Sequence, residues 1–147
     1  MDKYKFVIIL CAMALVFIVN TTSFSQENQG NAFVVTVMEL AMPEDGSVAE
    51  FDSLNQLYTD KVIKKNNLIL SHRNLRHWWG NDNREFVVIY EVASWGDILK
   101  ANEMNNTLFE EAWITEETRK EFNHAYNKYF TGKHSDEIYQ ELNSGRK

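Results

Sequence analysis

Hydrophobic positions predict three strands in the first two thirds of the chain. Residues 32–40 and 84–92 are apolar on both strand faces, whereas a strand wetted on one side would alternate apolar and polar residues. Residues 68–79 form the strand between them. Its apolar positions change parity between Leu70 and Leu75, which predicts a bulge near His72. The strands at 32–40 and 84–92 therefore need cover on both sides.

Helical spacing predicts two helices beside these strands. The first follows Ser47, which has Glu50 three residues later and so predicts a reciprocal capping box. Its apolar positions recur every three or four residues, at Phe51, Leu54, Tyr58 and Val62, and it closes at Asn66-Asn67. The second helix is predicted to be capped by Ser94 and to run from Ile98 to Trp113.

The end of the chain is harder to assign. Apolar spacing predicts a third helix from Thr115 to Thr131, ended by Gly132. Residues 134–142 suit either a helical turn or a short strand, and both alternatives stay open. Residues 80–83, Gly-Asn-Asp-Asn, predict a hairpin that makes the second and third strands antiparallel.

This order of elements predicts an α+β fold: an antiparallel sheet of ferredoxin-like type with its helices on one face and an extra helix near the C-terminus. Helices on one face of a small sheet leave its other face open. Because the strands at 32–40 and 84–92 are apolar on both sides, a second copy of the chain is the simplest cover. We therefore expect a homodimer.

The first 25 residues have the three-part pattern of a secretory signal. Lys3 and Lys5 precede an unbroken apolar run from Phe6 to Val19, and small residues Ser23 and Ser25 follow it. We expect cleavage between Ser25 and Gln26, which leaves one domain at 26–147 and an exported protein, periplasmic or secreted. The apolar run is shorter than the ~20 residues of a membrane-spanning helix, so no stable membrane anchor is expected.

Composition narrows the classes of function. The chain has a formal net charge of −6, and removing Lys3, Lys5 and Asp2, together +1, leaves the remainder at −7. An acidic domain is a poor partner for nucleic acid, whose phosphates require a basic face. The single cysteine, Cys11, lies inside the predicted signal. Disulfides, thiolate metal sites and cysteine nucleophiles are therefore excluded from the mature chain.

The passage Phe86 to Asp97, FVVIYEVASWGD, and the order of elements resemble the dimeric α/β-barrel superfamily. That superfamily includes antibiotic-biosynthesis-monooxygenase-like domains and stress-responsive barrel proteins, and the resemblance covers roughly Ala32 to Trp113. It implies a ferredoxin-like fold in which the sheets of two copies face each other and close a barrel. It also implies a fourth strand directly after the second helix. Here the third predicted helix intervenes, so that strand is either Glu137 to Leu142 or absent.

Haem-degrading members of the superfamily carry an Asn, a Trp and an iron-binding His on a helix. Trp95 matches the Trp in position, but the helix from Ile98 to Trp113 contains no His. Haem degradation is therefore not implied, and we expect no cofactor.

The densest group of polar and aromatic residues is the segment from His72 to Trp79. On a regular strand, His72, Arg76 and Trp78 share one face, and Trp95 lies in the segment that opens the second helix. These four residues form the candidate binding site, a cleft for a small aromatic or anionic ligand. The alternative is a strand end at which Trp packs and the Arg stem covers it.

A second set of candidates is His124, His134 and Asp136. These residue types bind metals or transfer protons, but their spacing has no regular metal motif, so no metal site is expected. The spacing of His134 to Asp136 suits a helix or turn start, with Ser135 or Asp136 as the cap. Neither a Gly-x-Ser-x-Gly motif nor a glycine-rich phosphate loop is present.

Two functions remain. The first is a non-catalytic or small-ligand-binding module. The second, implied by the resemblance, is a cofactor-independent monooxygenase acting on a small aromatic compound.

Overall fold

A computed structural model describes residues 30–80 and 83–142. These residues form four strands and three helices. The strands are β1 (Ala32–Leu40), β2 (Ile69–Arg76), β3 (Glu85–Val92) and β4 (Phe130–Gln140); the helices are α1 (Val48–Lys61), α2 (Asp97–Ala112) and α3 (Glu116–Asn127). A short 3-10 turn at Ile63–Lys65 follows α1. The predicted signal and its cleavage point lie outside the described residues.

The strands form one antiparallel sheet in the order β2-β3-β1-β4. This order, with helices between β1 and β2 and between β3 and β4, defines the ferredoxin-like α+β fold, and it confirms the predicted class. The first predicted strand has the bounds observed for β1. The hairpin prediction is also confirmed, since β2 and β3 pair antiparallel from Ile69 to Arg76.

The helices cover one face of the sheet. The core on that side has three clusters: one near the N-terminus of α2 and one around Phe51, which both include strand residues, and one formed between α1, α2 and α3. Their buried members are Ala32, Val34, Val92, Ile98 and Ala101; Phe51, Phe86 and Tyr129; and Val62, Trp113 and Phe122. Aromatic rings fill the second and third clusters, and Phe122 lies 4.2 Å from Trp113 between ring centroids.

The other face of the sheet, which we call the open face, also carries apolar side chains. Because side chains alternate along a strand, the residues between those of the core point to this face. None of them belongs to a core cluster of the described residues, and all are partly or largely exposed: Phe33, Val35, Val37, Leu75, Val87 and Ile89. The two-sided apolarity predicted from the sequence therefore leaves one apolar side without cover in a single copy.

The third helix and the last strand differ from the prediction. Helix α3 ends at Asn127 rather than Thr131, and Gly132, with φ of +86°, lies inside β4 instead of ending a helix. The helical-turn alternative for residues 134–142, and a cap at Ser135 or Asp136, are wrong. This segment is extended because its backbone pairs with β1 from Ala32↔Gln140 to Leu40↔Phe130.

Tyr129 explains why α3 stops early. Its ring is only 1 % exposed and packs against Phe51, with 5.2 Å between ring centroids. Its hydroxyl donates to Glu50 Oε2 at 2.7 Å and accepts from the Ser47 N–H at 3.0 Å. The hydrogen bond from Tyr129 is the main reason that the pKa of the Glu50 carboxyl is lowered. Tertiary contacts of one aromatic residue thus override the helical spacing.

The same hydroxyl alters the predicted capping box of α1. Ser47 Oγ accepts the Glu50 N–H at 3.1 Å, as predicted. The reciprocal bond is replaced, because the Ser47 N–H and the Glu50 carboxylate both bond to Tyr129. At α2 the predicted Ser94 cap is wrong: the N-cap is Gly96, and Ser94 Oγ donates to the Asp97 carboxylate at 2.7 Å.

Strand β2 is shorter than predicted and its bulge lies earlier. It ends at Arg76 rather than Trp79, and the register shifts between Ile69 and Ser71 instead of near His72. The extra residue is Leu70, which is exposed. From Ser71 to Arg76 the alternation is regular, which decides where the candidate residues point.

Candidate functional site

A polar cleft lies between α1 and the edge strand β2. Helical spacing places Asp52, Asn55 and Thr59 on the side of α1 that faces β2, and strand spacing places Asn74 and Arg76 opposite them. Phe86 and Gln56 complete the lining of a cleft of about 370 Å³. The site is open to solvent and mostly polar, with one cation and one carboxylate.

Arg76 and Asp52 form an ion pair across this cleft. Arg76 Nη1 lies 3.0 Å from Asp52 Oδ1, and both side chains are about half exposed. An ion pair of this kind contributes roughly 0–1 kcal/mol in water. It therefore holds the guanidinium in place only weakly, and an anionic ligand can replace the carboxylate as the partner of Arg76.

Asn55 forms the fixed, buried part of the cleft. Its Nδ2 donates to the Phe51 carbonyl at 2.9 Å, and its Oδ1 accepts from the Tyr126 hydroxyl at 2.7 Å. Burial raises the pKa of Tyr126 well above its ordinary value, so this hydroxyl remains a neutral donor. The side-chain orientation of Asn55 is set by these two bonds.

His72 lies beside the cleft on the same side of β2. It pairs across the sheet with Tyr90, whose hydroxyl donates to Asn102 Oδ1 at 3.0 Å. Partial burial lowers the pKa of the His72 imidazole, so the neutral form is favoured at neutral pH. His72, Asn74 and Arg76 are paired with Tyr90, Val88 and Phe86, which are all helix-side residues.

The structure does not bring the four predicted site residues together. His72 and Arg76 share the helix-facing side of β2. Trp78 lies beyond the end of β2 and is 97 % exposed, while Trp95 follows the opposite end of β3 and is 63 % exposed. Arg76 pairs with Phe86, and the six residues from there to Val92 span about 20 Å, so Trp95 is remote from Arg76.

Trp95 lines a separate, smaller pocket at the other end of the sheet. This pocket of about 200 Å³ lies between Trp95 and the last residues of β4, with Ile138 and Tyr139 as its apolar wall. The predicted single cleft is thus two sites, and Trp78 belongs to neither. Trp78 does not share the face of His72 and Arg76 because β2 ends at Arg76, and the alternation of side chains holds only within the strand.

The contribution of α1 to the cleft is not evident from the sequence pattern alone. Asp52, Asn55 and Thr59 recur at intervals of three and four residues beside the apolar stripe of that helix, which is the pattern of a polar helix face. The pattern alone does not reveal that this face meets β2. The one local indication of the cleft is Asn55, a polar residue that lies between Phe51 and Tyr58, within the apolar stripe of α1.

The second set of candidates does not form a site. His134 Nε2 lies 3.5 Å from Asp136 Oδ2 on the exposed edge strand β4, whereas His124 is on the exposed side of α3. Within residues 30–80 and 83–142, no group of three or more His, Cys, Asp or Glu side chains could hold a metal ion. No helix of this described part is long and apolar enough to span a membrane.

Comparison with solved structures shows the same fold in several other proteins. A candidate antibiotic biosynthesis monooxygenase from Caulobacter crescentus CB15 is 17% identical with a TM-score of 0.52, covering 78% of this chain and 92% of its own. A candidate antibiotic biosynthesis monooxygenase from Bordetella bronchiseptica is 8% identical with a TM-score of 0.52, covering 78% and 99%. A dimeric ferredoxin-like protein from an uncultured marine organism is 12% identical with a TM-score of 0.50, covering 78% and 90%.

These similarities define the class of the protein at the level of its fold. The chain has the ferredoxin-like fold of the antibiotic-biosynthesis-monooxygenase-like proteins, as the resemblance of residues 86–97 implied. No protein-family model matches the chain, and no curated protein matches it.

Proposed function

We propose that this protein is an exported, homodimeric α/β-barrel-like module that binds a small ligand in the cleft between α1 and β2. The observation that carries the dimer is the apolar open face, where Val35, Val37, Val87 and Ile89 are left without cover in one copy. The name of the marine protein, a dimeric ferredoxin-like protein, supports the same assembly. Sedimentation equilibrium at micromolar concentration tests it: about twice the mass of one chain is expected, and a monomer would contradict the proposal.

The ligand class follows from the cleft. Arg76 supplies a positive charge held only by an exposed ion pair, and the neighbouring amides and hydroxyl of Asn55, Asn74 and Thr59 supply hydrogen bonds. Phe86 supplies an aromatic surface in the same cleft. We infer a small anion with an aromatic or planar part, such as an aromatic carboxylate.

Thermal denaturation with benzoate as the probe tests this cleft. Millimolar benzoate is expected to raise the melting temperature of the native chain by a few degrees, since a ligand that binds only the folded state stabilises it by mass action. Arg76→Ala is expected to abolish the shift while changing the stability of the unliganded protein by less than about 1 kcal/mol. Lys120→Ala, on the exposed side of α3, is the control. An equal shift in both variants would exclude Arg76 as the anion partner.

Export is the second part of the proposal and rests on the apolar run from Phe6 to Val19 followed by Ser23 and Ser25. Protein recovered from the cell envelope or medium of its native host is expected to begin at Gln26. Intact-mass measurement checks this prediction. A full-length chain retained in the cytoplasm would contradict it.

The names of the two candidate monooxygenases favour a second function, cofactor-independent oxygenation of a small aromatic compound. The partly buried, neutral His72, on the same side of β2 as Arg76, is then a candidate proton acceptor beside the cleft. Oxygen uptake with a small hydroquinone and no added cofactor distinguishes the two functions. Uptake that depends on His72 would favour the enzyme, and its absence would favour the binding module.

A further inference from the structure

One row of residues on the open face carries opposite charges at its two ends. The strand register aligns Arg73 on β2, Ile89 on β3, Val35 on β1 and Glu137 on β4. The two central residues are apolar, and the two charged residues lie on the two edge strands of the sheet. The row is therefore positive at the β2 edge and negative at the β4 edge.

Neither of these two charged side chains has an oppositely charged partner within the described residues of one copy. Arg73 and Glu137 form no ion pair among the described residues. They are separated by three strand spacings, about 14 Å, so the two side chains do not reach each other along the sheet. By contrast, Glu91, in the adjacent row, accepts hydrogen bonds from Ser71 Oγ and Asn31 Nδ2.

The charged groups at the far end of the face are also paired. Glu39 lies 2.6 Å from Arg84 and 3.2 Å from Lys133, and His77 Nδ1 lies 3.7 Å from Glu85. In the row that contains Arg73 and in the two rows beside it, only Arg73 and Glu137 are charged side chains without an ion-pair or hydrogen-bond partner among the described residues.

When the strands of two facing sheets are roughly aligned, a two-fold axis can relate the sheets in two ways. An axis parallel to the strands places the β2 edge of one copy over the β4 edge of the other, so that Arg73 meets the partner's Glu137. An axis across the strands places β2 over the partner's β2, which keeps Arg73 away from the partner's Glu137 and, where the axis crosses this row, sets it opposite the partner's Arg73. An isologous interface repeats every contact, so the first arrangement forms two ion pairs and the second forms none.

We propose that two copies of this chain pack their open faces about an axis parallel to the strands, with Arg73 of each copy paired to the partner's Glu137. This inference rests on the proposed dimer and specifies its geometry. In this arrangement Ile89 faces the partner's Val35, so the apolar centre is buried between the sheets while the ion pairs close both edges. Charge pairs at the edge of an apolar interface select the orientation more than they add affinity.

Charge reversal in separate chains tests the pairing. Arg73→Glu alone and Glu137→Arg alone each place like charges at both edges of a homodimer, and each is expected to weaken the dimer about tenfold. When the two variants are mixed, one edge pairs Glu with Arg and the other retains Arg73 with Glu137. Native mass spectrometry of a mixture with one chain tagged is therefore expected to show heterodimer as the main species.

The double variant Arg73→Glu with Glu137→Arg is expected to restore the homodimer to within about threefold of the native affinity, because both pairs are re-formed with reversed sign. Glu121→Arg, on the exposed side of α3, makes the same change in net charge as Glu137→Arg and is expected to have no effect. Circular dichroism of each variant verifies that the protomer is folded.

The outcomes separate this inference from the proposed dimer. If the native chain is a dimer but the single variants bind normally and the mixture is statistical, the axis is wrong and the dimer stands. If the native chain is a monomer, both fail. If the single variants weaken the dimer but the double variant does not recover, the two residues are not partners and the pairing is overturned.

Discussion

Phe51→Ala is expected to lower the free energy of unfolding by about 3–5 kcal/mol. Phe51 is buried where α1 meets the sheet and the turn after α3. Its ring contacts those of Phe86, Tyr129 and Phe130, with centroid distances of 5.1, 5.2 and 5.7 Å. The neighbouring rings belong to three elements and cannot all move in, so a cavity remains.

Urea denaturation at one fixed protein concentration measures this effect, since the stability of a dimer depends on concentration. Leu57→Ala is the control, because Leu57 is on the same helix but is 38% exposed. We expect the control to lower the free energy of unfolding by less than about 1 kcal/mol. Similar losses in both variants would contradict the placement of Phe51 at the centre of the core.

Much of this fold could be predicted because its strands are distinctive. Residues 32–40 are apolar on both faces and rich in β-branched residues, a pattern that favours a strand with apolar surroundings. The cap at Ser47 could also be predicted from the sequence, because the side chain of a serine just before an apolar stripe accepts a free backbone N–H at the start of the helix. These features depend on neighbours within a few residues, which the sequence displays directly.

The end of α3 could not be predicted in this way. Phe122, Tyr126, Tyr129 and Phe130 have the spacing of one helix face, yet only the first two lie in α3. Tyr129 leaves the helix because Ser47, Glu50 and Phe51, some eighty residues earlier, offer its ring and hydroxyl a buried position. The side chains of β4 are likewise almost all exposed. This segment is a strand because its backbone hydrogen-bonds to the edge of β1.

The candidate site was predictable only on the side of β2. The strand period correctly groups His72, Asn74 and Arg76, because it depends on local geometry alone. It fails at Trp78, since nothing local shows that pairing stops at Arg76. The residues of α1 that complete the cleft depend on how that helix lies on the sheet, a relation between segments about twenty residues apart.

Val35→Asp is expected to convert the proposed dimer to a monomer, with at least ~100-fold weaker association. Val35 lies at the centre of the open face, paired with Ile89 on one side and Glu137 on the other. A carboxylate at this position would be removed from water when two copies meet, and the two-fold axis would introduce it twice. Because Val35 is outside the core clusters, the protomer is expected to remain folded.

Sedimentation velocity over a range of concentrations measures this change, and circular dichroism verifies the fold. Val48→Asp is the matched control: it makes the same substitution at an exposed position in the first turn of α1, where a carboxylate is favourable. The control is expected to remain a dimer. If Val35→Asp also sediments as a dimer with an unchanged dissociation constant, the open face is not the interface, and its apolar side chains require another partner.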